Sequence, residues 1–508
     1  MLAQVRLEAG EEWLAGPYFV LRNLRLLGEA LADIENQGRP RIPGPVRTRP
    51  DGQVTAEIFP ASIYDRLFYR GITAEVWMEP GVDVSGLAAT QAIAYRERQP
   101  QGKVALVMSA GNVSSIGPTD TLYKLFVENQ VVIYKTHPLN AYLGPLFEEG
   151  LQALFDWGFL RQVHGGAEVG GYLCEHPRVD EIHITGSDKT VEAIVFGPGE
   201  EGQRRKAERR PKLDKPISSE LGNVSPVIVV PGPWSPDDFA YQAENLAAML
   251  VNNAGFNCNA TRVIVQHASW PGRQTLLDGL RRQLAQIPPR RAWYSGADER
   301  WAKFRAAHPD DLETYGEAEA GMLPWGLVAG LDPAAEDEIC FHTEAFCGLT
   351  AETGLAAATV PEFLARAVDF ANERLWGTLN VTLLVHPASL RQPAVAEAFE
   401  RALGDLRYGT VSVNNWAAIG FGLITAPWGA YPGHDLYDIQ SGNGVVHNTL
   451  MFSRPQKTVI RSPFRMNPKP PWFPGHRTAL ELASKLTRFE ADPSPAKLPG
   501  IFWEALRG

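Results

Sequence analysis

The chain has 508 residues, enough for about two to four domains. Its 44% apolar residues suffice to build cores, which excludes general disorder, and four cysteines in this length exclude a disulfide scaffold. With 48 Lys and Arg against 58 Asp and Glu, the net charge is −10, which argues against a nucleic-acid coat.

Cys174, Cys258, Cys340 and Cys347 form no C-x-x-C pair, so no structural zinc site is expected and no metal is assigned. No apolar run approaches the roughly 18 residues of a membrane span. Glu8, Glu11 and Glu12 stand where a signal peptide needs an apolar core. Together these features predict a soluble protein of the reducing cytoplasm.

Residues 38–52, GRPRIPGPVRTRPDG, predict a loop or bend. KVALVMSA (103–110) predicts a buried strand, and Pro118 followed by a periodic apolar stripe predicts a helix. VVIYK (131–135) is a second strand. PLNAYLGPLFEEGLQALFDWG predicts one helix ending at Gly158. Short strands follow at RQVHGG and at RVDEIHITGS (178–187). Strands alternating with helices indicate an α/β fold with a parallel sheet.

The basic run 200–215, EEGQRRKAERRPKLDK, predicts a solvated loop, with a phosphate- or partner-binding role as the sharper alternative. PISSELGNVSPVIVVPG then predicts strand–turn–strand, FAYQAENLAAMLVNNAG a helical stretch, and ATRVIVQ another strand. The alternation continues with a helix at 361–377 and strands at 378–387 and 410–416, whereas the last 60 residues show no clear periodicity.

A lone cysteine is more often an inert buried residue. Cys258 differs in its setting, NNAGFNCNATRVIV, where Gly255, Asn257 and Asn259 suit an exposed thiolate better than a core. Cys174, Cys340 and Cys347 lack such a setting. Glu220 opens ELGNVSP at a strand end, where a carboxylate can act as a general base on water, although an ordinary edge glutamate is the simpler reading.

The order of these signals along the chain is informative. It runs SAGN (109–112), VVIYK ending at Lys135, ITGS (184–187), ELGNVSP (220–226), NCNATR (257–262), TEAFCG (343–348), SVNN (412–415) and SGNG (441–444). This series resembles the aldehyde dehydrogenase superfamily of the NAD(P)-dependent, hydrolytic type, from about residue 80 to about residue 445. The resemblance implies a Rossmann-like cofactor domain, an α/β catalytic domain and a small oligomerisation flap, assembled as a homodimer or homotetramer. The matching divisions would be residues 1–220, 221–445 and 446–508.

The same resemblance implies the roles. Cys258 as thiolate attacks an aldehyde carbonyl, and the Asn112 amide with the Cys258 N–H holds the oxyanion. Oxidation with NAD or NADP leaves a thioester, and Glu220 activates the water that hydrolyses it to a carboxylic acid. Lys135 matches a contact to the adenosine ribose. Gly186 and Ser187 match a pyrophosphate contact at a helix start. Glu344 matches a contact to the nicotinamide ribose, with Leu221 and Phe346 beside the cofactor. Phe256, Phe341 and Trp416 hint at a tunnel for an apolar or aromatic aldehyde, with core packing the equal alternative.

Several positions depart from the family pattern. Asn223 replaces the second glycine of ELGG, where its tolerance of left-handed backbone would preserve the turn. Val191 replaces a glycine at the helix start. Pro138 stands where an acid would repel a 2′-phosphate, which leaves NADP open. Two rival readings share the fold: a coenzyme A-dependent acylating dehydrogenase or acyl-CoA reductase, which usually lacks a glutamate like Glu220, and a catalytically silent binding protein.

Overall fold

The computed structural model describes residues 2–508, and the chain folds into two compact units assembled from non-contiguous stretches. The Lys135 unit comprises Ala15–Gly222 and Gly420–Thr458. The Cys258 unit comprises the residues up to Leu14, Asn223–Ile419 and Val459–Gly508. This interleaving differs from a linear division at 220 and 445. The first helix and the last fifty residues belong to the unit that carries the cysteine.

In the Lys135 unit, β1 (Val46–Thr48), β2 (Val54–Phe59) and β3 (Thr73–Met78) pair antiparallel, so the predicted bend at 38–52 holds a short strand. Five further strands form a separate sheet: β4 (Val104–Met108), β5 (Val131–Lys135), β6 (Leu160–Val163), β7 (Glu181–Gly186) and β8 (Ile217–Leu221). All are parallel, in the order β6-β5-β4-β7-β8. Both faces are covered, as a parallel sheet requires. Leu106, Met108, Ile182 and Ile184 pack with residues of the helices Ala167–Glu175 and Asp188–Phe196, while Ala105, Val107, Val132 and Tyr134 pack with Leu125 and Leu151 on the other face. In chain order this arrangement is 3-2-1-4-5. The winding therefore reverses between β4 and β7, and sheets of this kind bind ligands beside the carboxyl ends of the strands at such a reversal.

Two predicted segments differ. Residues 138–158 are not one helix but a 3₁₀ turn, Pro138–Leu143, followed by helices Gly144–Gly150 and Gln152–Asp156. Pro145 lacks the amide that would bond back into the preceding turn, so one continuous helix cannot form. The basic run is not a loop throughout, because Gly199–Ala207 is helical. Its cations are neutralised nearby: Arg204 and Arg205 by Glu201, Lys206 by Glu192, Arg209 by Asp435 and Lys212 by Glu175. This pairing leaves no concentrated positive patch for a phosphate.

The Cys258 unit contains β9 (Pro226–Val229), β10 (Val263–His267), β11 (Arg290–Arg291), β12 (Leu312–Tyr315), β13 (Met322–Leu323), β14 (Trp325–Leu331), β15 (Leu349–Leu355), β16 (Asn380–Leu384) and β17 (Thr410–Val413). Its main sheet runs β17-β16-β9-β10-β15-β14-β12. The neighbours are parallel except β12, which is antiparallel to β14. Val227, Val229 and Ile264 form a core with Leu246 and Leu250 of the helix Pro236–Val251 and with Leu276 and Leu280 of the helix Gly272–Gln286. Toward the carboxyl end come β18 (Pro427–Gly429), β19 (Val445–His447) and β20 (Pro455–Arg461). Helices Ala479–Ala491 and Leu498–Leu506 then give regular structure to a stretch without a legible pattern. Among the described residues, no helix is long and apolar enough to cross a membrane.

The helix Ile116–Leu122 places Asp120 wholly inside the Lys135 unit, where Thr185 Oγ1 donates to it at 2.7 Å. Burial raises its pKa to about 8 against that hydrogen bond. The folded state therefore holds a proton that the unfolded chain has released. The stability this provides is full below the unfolded pKa of 3.8 and is lost as pH rises towards 8. In Asp120→Asn, the melting temperature should fall less than in the wild type between about pH 5 and about pH 8. Parallel losses in the two proteins would remove Asp120 as the cause.

Candidate active site

The sheet of the Lys135 unit delivers six predicted residues to one edge. Asn112 follows the carboxyl end of β4, Lys135 ends β5, Gly186 ends β7 with Ser187 next to it, and Glu220 and Leu221 end β8. Ser187 is the N-cap of the helix Asp188–Phe196, its hydroxyl accepting from the Thr190 N–H at 3.3 Å. The unpaired N–H groups of such a helix start favour an anion. The Lys135 side chain is buried, yet it makes no hydrogen bond or ion pair with any described residue. Burial lowers its pKa. A buried ammonium without an anionic partner at a switch-point edge fits a polar ligand, and this is the chemical fit that a dinucleotide ribose requires.

Glu220 is buried, and its carboxylate accepts from Trp428 Nε1 at 3.0 Å. The strand pair behind it is tight. Leu221 N–H donates to Ser441, Glu220 bridges to Gly442, and a Cβ on Gly442 would lie 2.1 Å from the Ser219 carbonyl oxygen. With φ at +108°, that position needs glycine for both space and backbone conformation.

In the Cys258 unit, the candidate nucleophile is half-buried on the connection between the helix Pro236–Val251 and β10. Asn253, Ala254 and Gly255 are consecutively left-handed, with φ of +51°, +55° and +79°. Two non-glycine residues in this region cost on the order of 1–3 kcal/mol each, so surrounding contacts must hold them. Gly255 has a steric reason too, since a Cβ there would meet the Cys347 carbonyl oxygen at 2.5 Å. Below the loop, Arg262 is buried and donates to four carbonyls: Cys347 at 2.6 Å, Leu349 at 3.3 Å, Gly255 at 2.7 Å and Asn257 at 3.3 Å. Burial lowers the pKa of this guanidinium, while Glu344, Cys347 and Cys258 act electrostatically to raise it. The guanidinium therefore lies within electrostatic reach of Glu344, Cys347 and Cys258.

Three more contacts brace the loop. The Cys258 carbonyl accepts from Ser225 Oγ at 3.0 Å and from Asn380 Nδ2 at 3.3 Å. Trp416 Nε1 donates to the Asn259 carbonyl at 2.6 Å. Asn253 N–H donates to Glu11 Oε2 at 3.1 Å, and Glu11 forms a buried bidentate pair with Arg290 at 2.6 and 2.9 Å.

Glu344 and Phe346 lie on the loop leading into β15. Phe346, also left-handed at φ +42°, contacts the Phe256 and Tyr294 rings, and its carbonyl accepts from Arg300 at 3.2 Å. Of the three tunnel candidates, Phe256 packs among Trp293, Tyr294 and Phe346. Trp416 holds the nucleophile loop. Phe341 is fully buried against Phe370, so it is core rather than tunnel.

Comparison with known proteins bears on the family and the fold. The profile described as "Aldehyde dehydrogenase family" matches residues 73–288. The chain is 34% identical over 110 residues to the human 4-trimethylaminobutyraldehyde dehydrogenase, covering 22% of this chain and 19% of the relative. It is 33% identical over 132 residues to a putative aldehyde dehydrogenase of Staphylococcus aureus (strain NCTC 8325 / PS 47), covering 26% and 24%. The matched stretch thus spans about a fifth to a quarter of these curated relatives. Among solved structures, substrate-bound Staphylococcus aureus AldH superposes with a TM-score of 0.55 at 16% identity, over 90% of this chain and 83% of that one. The NAD-dependent aldehyde dehydrogenase from Sinorhizobium meliloti gives 0.54 at 16%, over 91% and 87%. Residues 73–288 are thus similar to the aldehyde dehydrogenase family, and the fold is like that of solved aldehyde dehydrogenases.

Departures from the superfamily pattern acquire physical reasons. Asn223 is not left-handed, so backbone tolerance is not why asparagine stands there. It is fully buried, accepts from Ser225 Oγ at 2.8 Å and Asn380 Nδ2 at 3.2 Å, and donates to the Asn380 carbonyl at 3.1 Å. It therefore orients the two residues that hold the Cys258 carbonyl. Val191 is buried in the apolar core beneath the sheet, where its side chain adds packing.

Sequence reasoning missed Arg262, Trp428, Glu11 and Arg290. Arg262 had a signal, standing four residues beyond Cys258 in the cysteine motif; the others lie far along the chain from the residues they support. Removing one partner of the buried pair strands the other's charge. Glu11→Ala should cost about 3–5 kcal/mol in urea unfolding, and adding Arg290→Met should restore part of that loss. A double variant as unstable as the summed singles would show that the pair is not coupled.

Proposed function

We propose that this chain oxidises an aldehyde to a carboxylic acid with NAD or NADP as acceptor. The observation that carries the reading is the Cys258 loop: a half-buried thiol on a left-handed turn, above a buried guanidinium, with its carbonyl pinned by Ser225 and Asn380. A structural cysteine needs none of this support. Support for the cofactor comes from the switch-point edge of the parallel sheet, where Lys135 would hold the adenosine ribose and Gly186, Ser187 and the helix start the pyrophosphate. Leu221, Glu344 and Phe346 would border the nicotinamide half. Residues 136–138 are Thr, His and Pro, so no carboxylate there opposes a 2′-phosphate. When bound, the dinucleotide supplies the two-electron acceptor that the oxidation needs.

The chain's own residues account for the remaining chemistry. The Cys258 thiolate adds to the carbonyl carbon, and the oxygen becomes an oxyanion held by the Asn112 amide and the Cys258 N–H. After oxidation the acyl group remains on sulfur as a thioester. Glu220 takes a proton from water as that water attacks the acyl carbon; the C–S bond breaks, giving the acid and regenerating Cys258. Trp428 fixes the orientation of the Glu220 carboxylate. The aromatic group of Phe256, Trp293, Tyr294 and Phe346, two residues from the nucleophile in sequence at its nearest, favours an apolar or aromatic aldehyde. Four cysteines that form no disulfide fit a reducing cytoplasm, and a homodimer or homotetramer is the assembly expected of the superfamily.

The direct test is reduced-cofactor formation from a panel of aldehydes with NAD or NADP, with and without coenzyme A. Turnover without coenzyme A is expected; turnover only in its presence would overturn the hydrolytic reading. Cys258→Ala should abolish turnover while dinucleotide binding persists. Glu220→Gln should give a burst of reduced cofactor followed by slow turnover, and an unchanged steady-state rate would remove Glu220 from deacylation. Lys135→Ala should raise the dinucleotide KM about tenfold, the loss of one charged hydrogen bond, with kcat nearly constant.

A further inference from the structure

His308, Glu338 and Cys340 lie outside the machinery described above, and nothing in their spacing marks them as a group. The fold brings one side-chain donor atom from each within 4.8 Å of the others. His308 closes the helix Ala297–Ala307, and its Nε2 lies 3.0 Å from Glu338 Oε1 and 3.8 Å from Cys340 Sγ. Glu338 caps the short helix Ile339–His342, where Oε1 also accepts from the Cys340 N–H at 2.8 Å.

We propose that His308, Glu338 and Cys340 form a binding site for a zinc-class divalent metal ion, with water as the fourth ligand. Imidazole nitrogen, thiolate sulfur and carboxylate oxygen together are a donor set that zinc(II) accepts and that magnesium or calcium does not. The spacing fits as well. Bonds of roughly 2.0–2.3 Å in a tetrahedral site hold ligand atoms roughly 3.2–3.7 Å apart, and the His308–Glu338 and His308–Cys340 distances of 3.0 and 3.8 Å match this to within a few tenths of an ångström. His308 and Cys340 are buried, so the donors are already ordered. The flanking segments carry exposed Asp310, Asp311, Glu336 and Asp337, which favour a cation, while Lys303 and Arg305 on the helix and Arg374 beside Ala335 partly offset them.

Binding exchanges bonds in a balanced way. The Cys340 S–H proton leaves to solvent as the metal–sulfur bond forms, and the His308 Nε2 proton that Glu338 accepts leaves through solvent while Nδ1 takes one up, so that neutral Nε2 can ligate. The His308–Glu338 hydrogen bond is replaced by two bonds to the metal. Its consequence is mechanical. Arg300, on the same helix as His308, already donates to the Phe346 carbonyl. A metal at His308 would fasten the Glu338–Cys340 end of the segment leading to Glu344 and Phe346, giving that loop a second anchor on the same helix.

Cobalt(II) is the probe, because tetrahedral coordination gives intense visible bands and a bound thiolate gives a sulfur-to-metal charge-transfer band. The full-length Cys258→Ala variant, stripped with chelator, removes the competing half-buried thiol. One equivalent of cobalt(II) should produce both bands, and zinc(II) should displace it and bleach them. Cys340→Ser should lose the charge-transfer band, and His308→Gln should lose the tetrahedral spectrum, each checked for native circular dichroism. No thiolate band in the Cys258→Ala protein, or a band unchanged by Cys340→Ser, overturns the site. Since no aldehyde or dinucleotide is present, this result is independent of whether the dehydrogenase reading holds. If either ligand variant unfolds, the Cys258→Ala spectrum alone decides.

Discussion

The buried guanidinium of Arg262 is the constraint on which the Cys258 unit's site depends. An arginine cannot shed its charge on burial, so its donors must be satisfied by the protein. Here the acceptors are four backbone carbonyls drawn from two loops, 255–257 and 347–349. That requirement fixes the two loops relative to each other and explains the contact that leaves no room for a side chain at Gly255. It also places positive charge beside both Cys258 and Glu344, the two groups whose proposed work depends most on electrostatics.

A strained loop needs support on several sides, and this chain supplies it from distant segments. Ser225 and Asn380, oriented by Asn223, hold the Cys258 carbonyl, Trp416 holds that of Asn259, and Glu11, paired with Arg290, holds the Asn253 amide. Each contact is modest alone. Together they over-determine a backbone conformation that would otherwise relax, which is how left-handed alanine and asparagine persist at a functional turn. The Lys135 unit uses a different device. In a parallel sheet every strand ends at the same edge, so the residues that end its strands share that edge whatever further support each one has.

Much of this was legible in the sequence. The apolar runs at 103–110, 131–135 and 178–187 became β4, β5 and β7, because buried parallel strands need continuous hydrophobicity. Cys258 stood out through its glycine and asparagine neighbours, and Ser187 through the strand–turn–helix pattern around it. The long helix at 138–158 failed because Pro145 outweighs periodicity. The basic run failed because charge alone does not distinguish a solvated loop from a helix with internal ion pairs. The last fifty residues gave no pattern, since their helices pack on elements far away in sequence.

By itself, then, the sequence determined the α/β class and the strands of the parallel sheet, and it carried the candidate nucleophile and the family resemblance. These depend on local composition, on periodicity and on motifs whose residues are neighbours along the chain. Tertiary structure decided the rest: that the amino-terminal helix belongs with the cysteine-bearing unit, that Asn223 is a hydrogen-bonding brace, that Trp428 contacts Glu220 across 208 residues, and that His308 meets Glu338 and Cys340. Such contacts arise from the closure of long loops, whose cost grows only slowly with length, so nothing in local spacing records which distant partner a side chain meets.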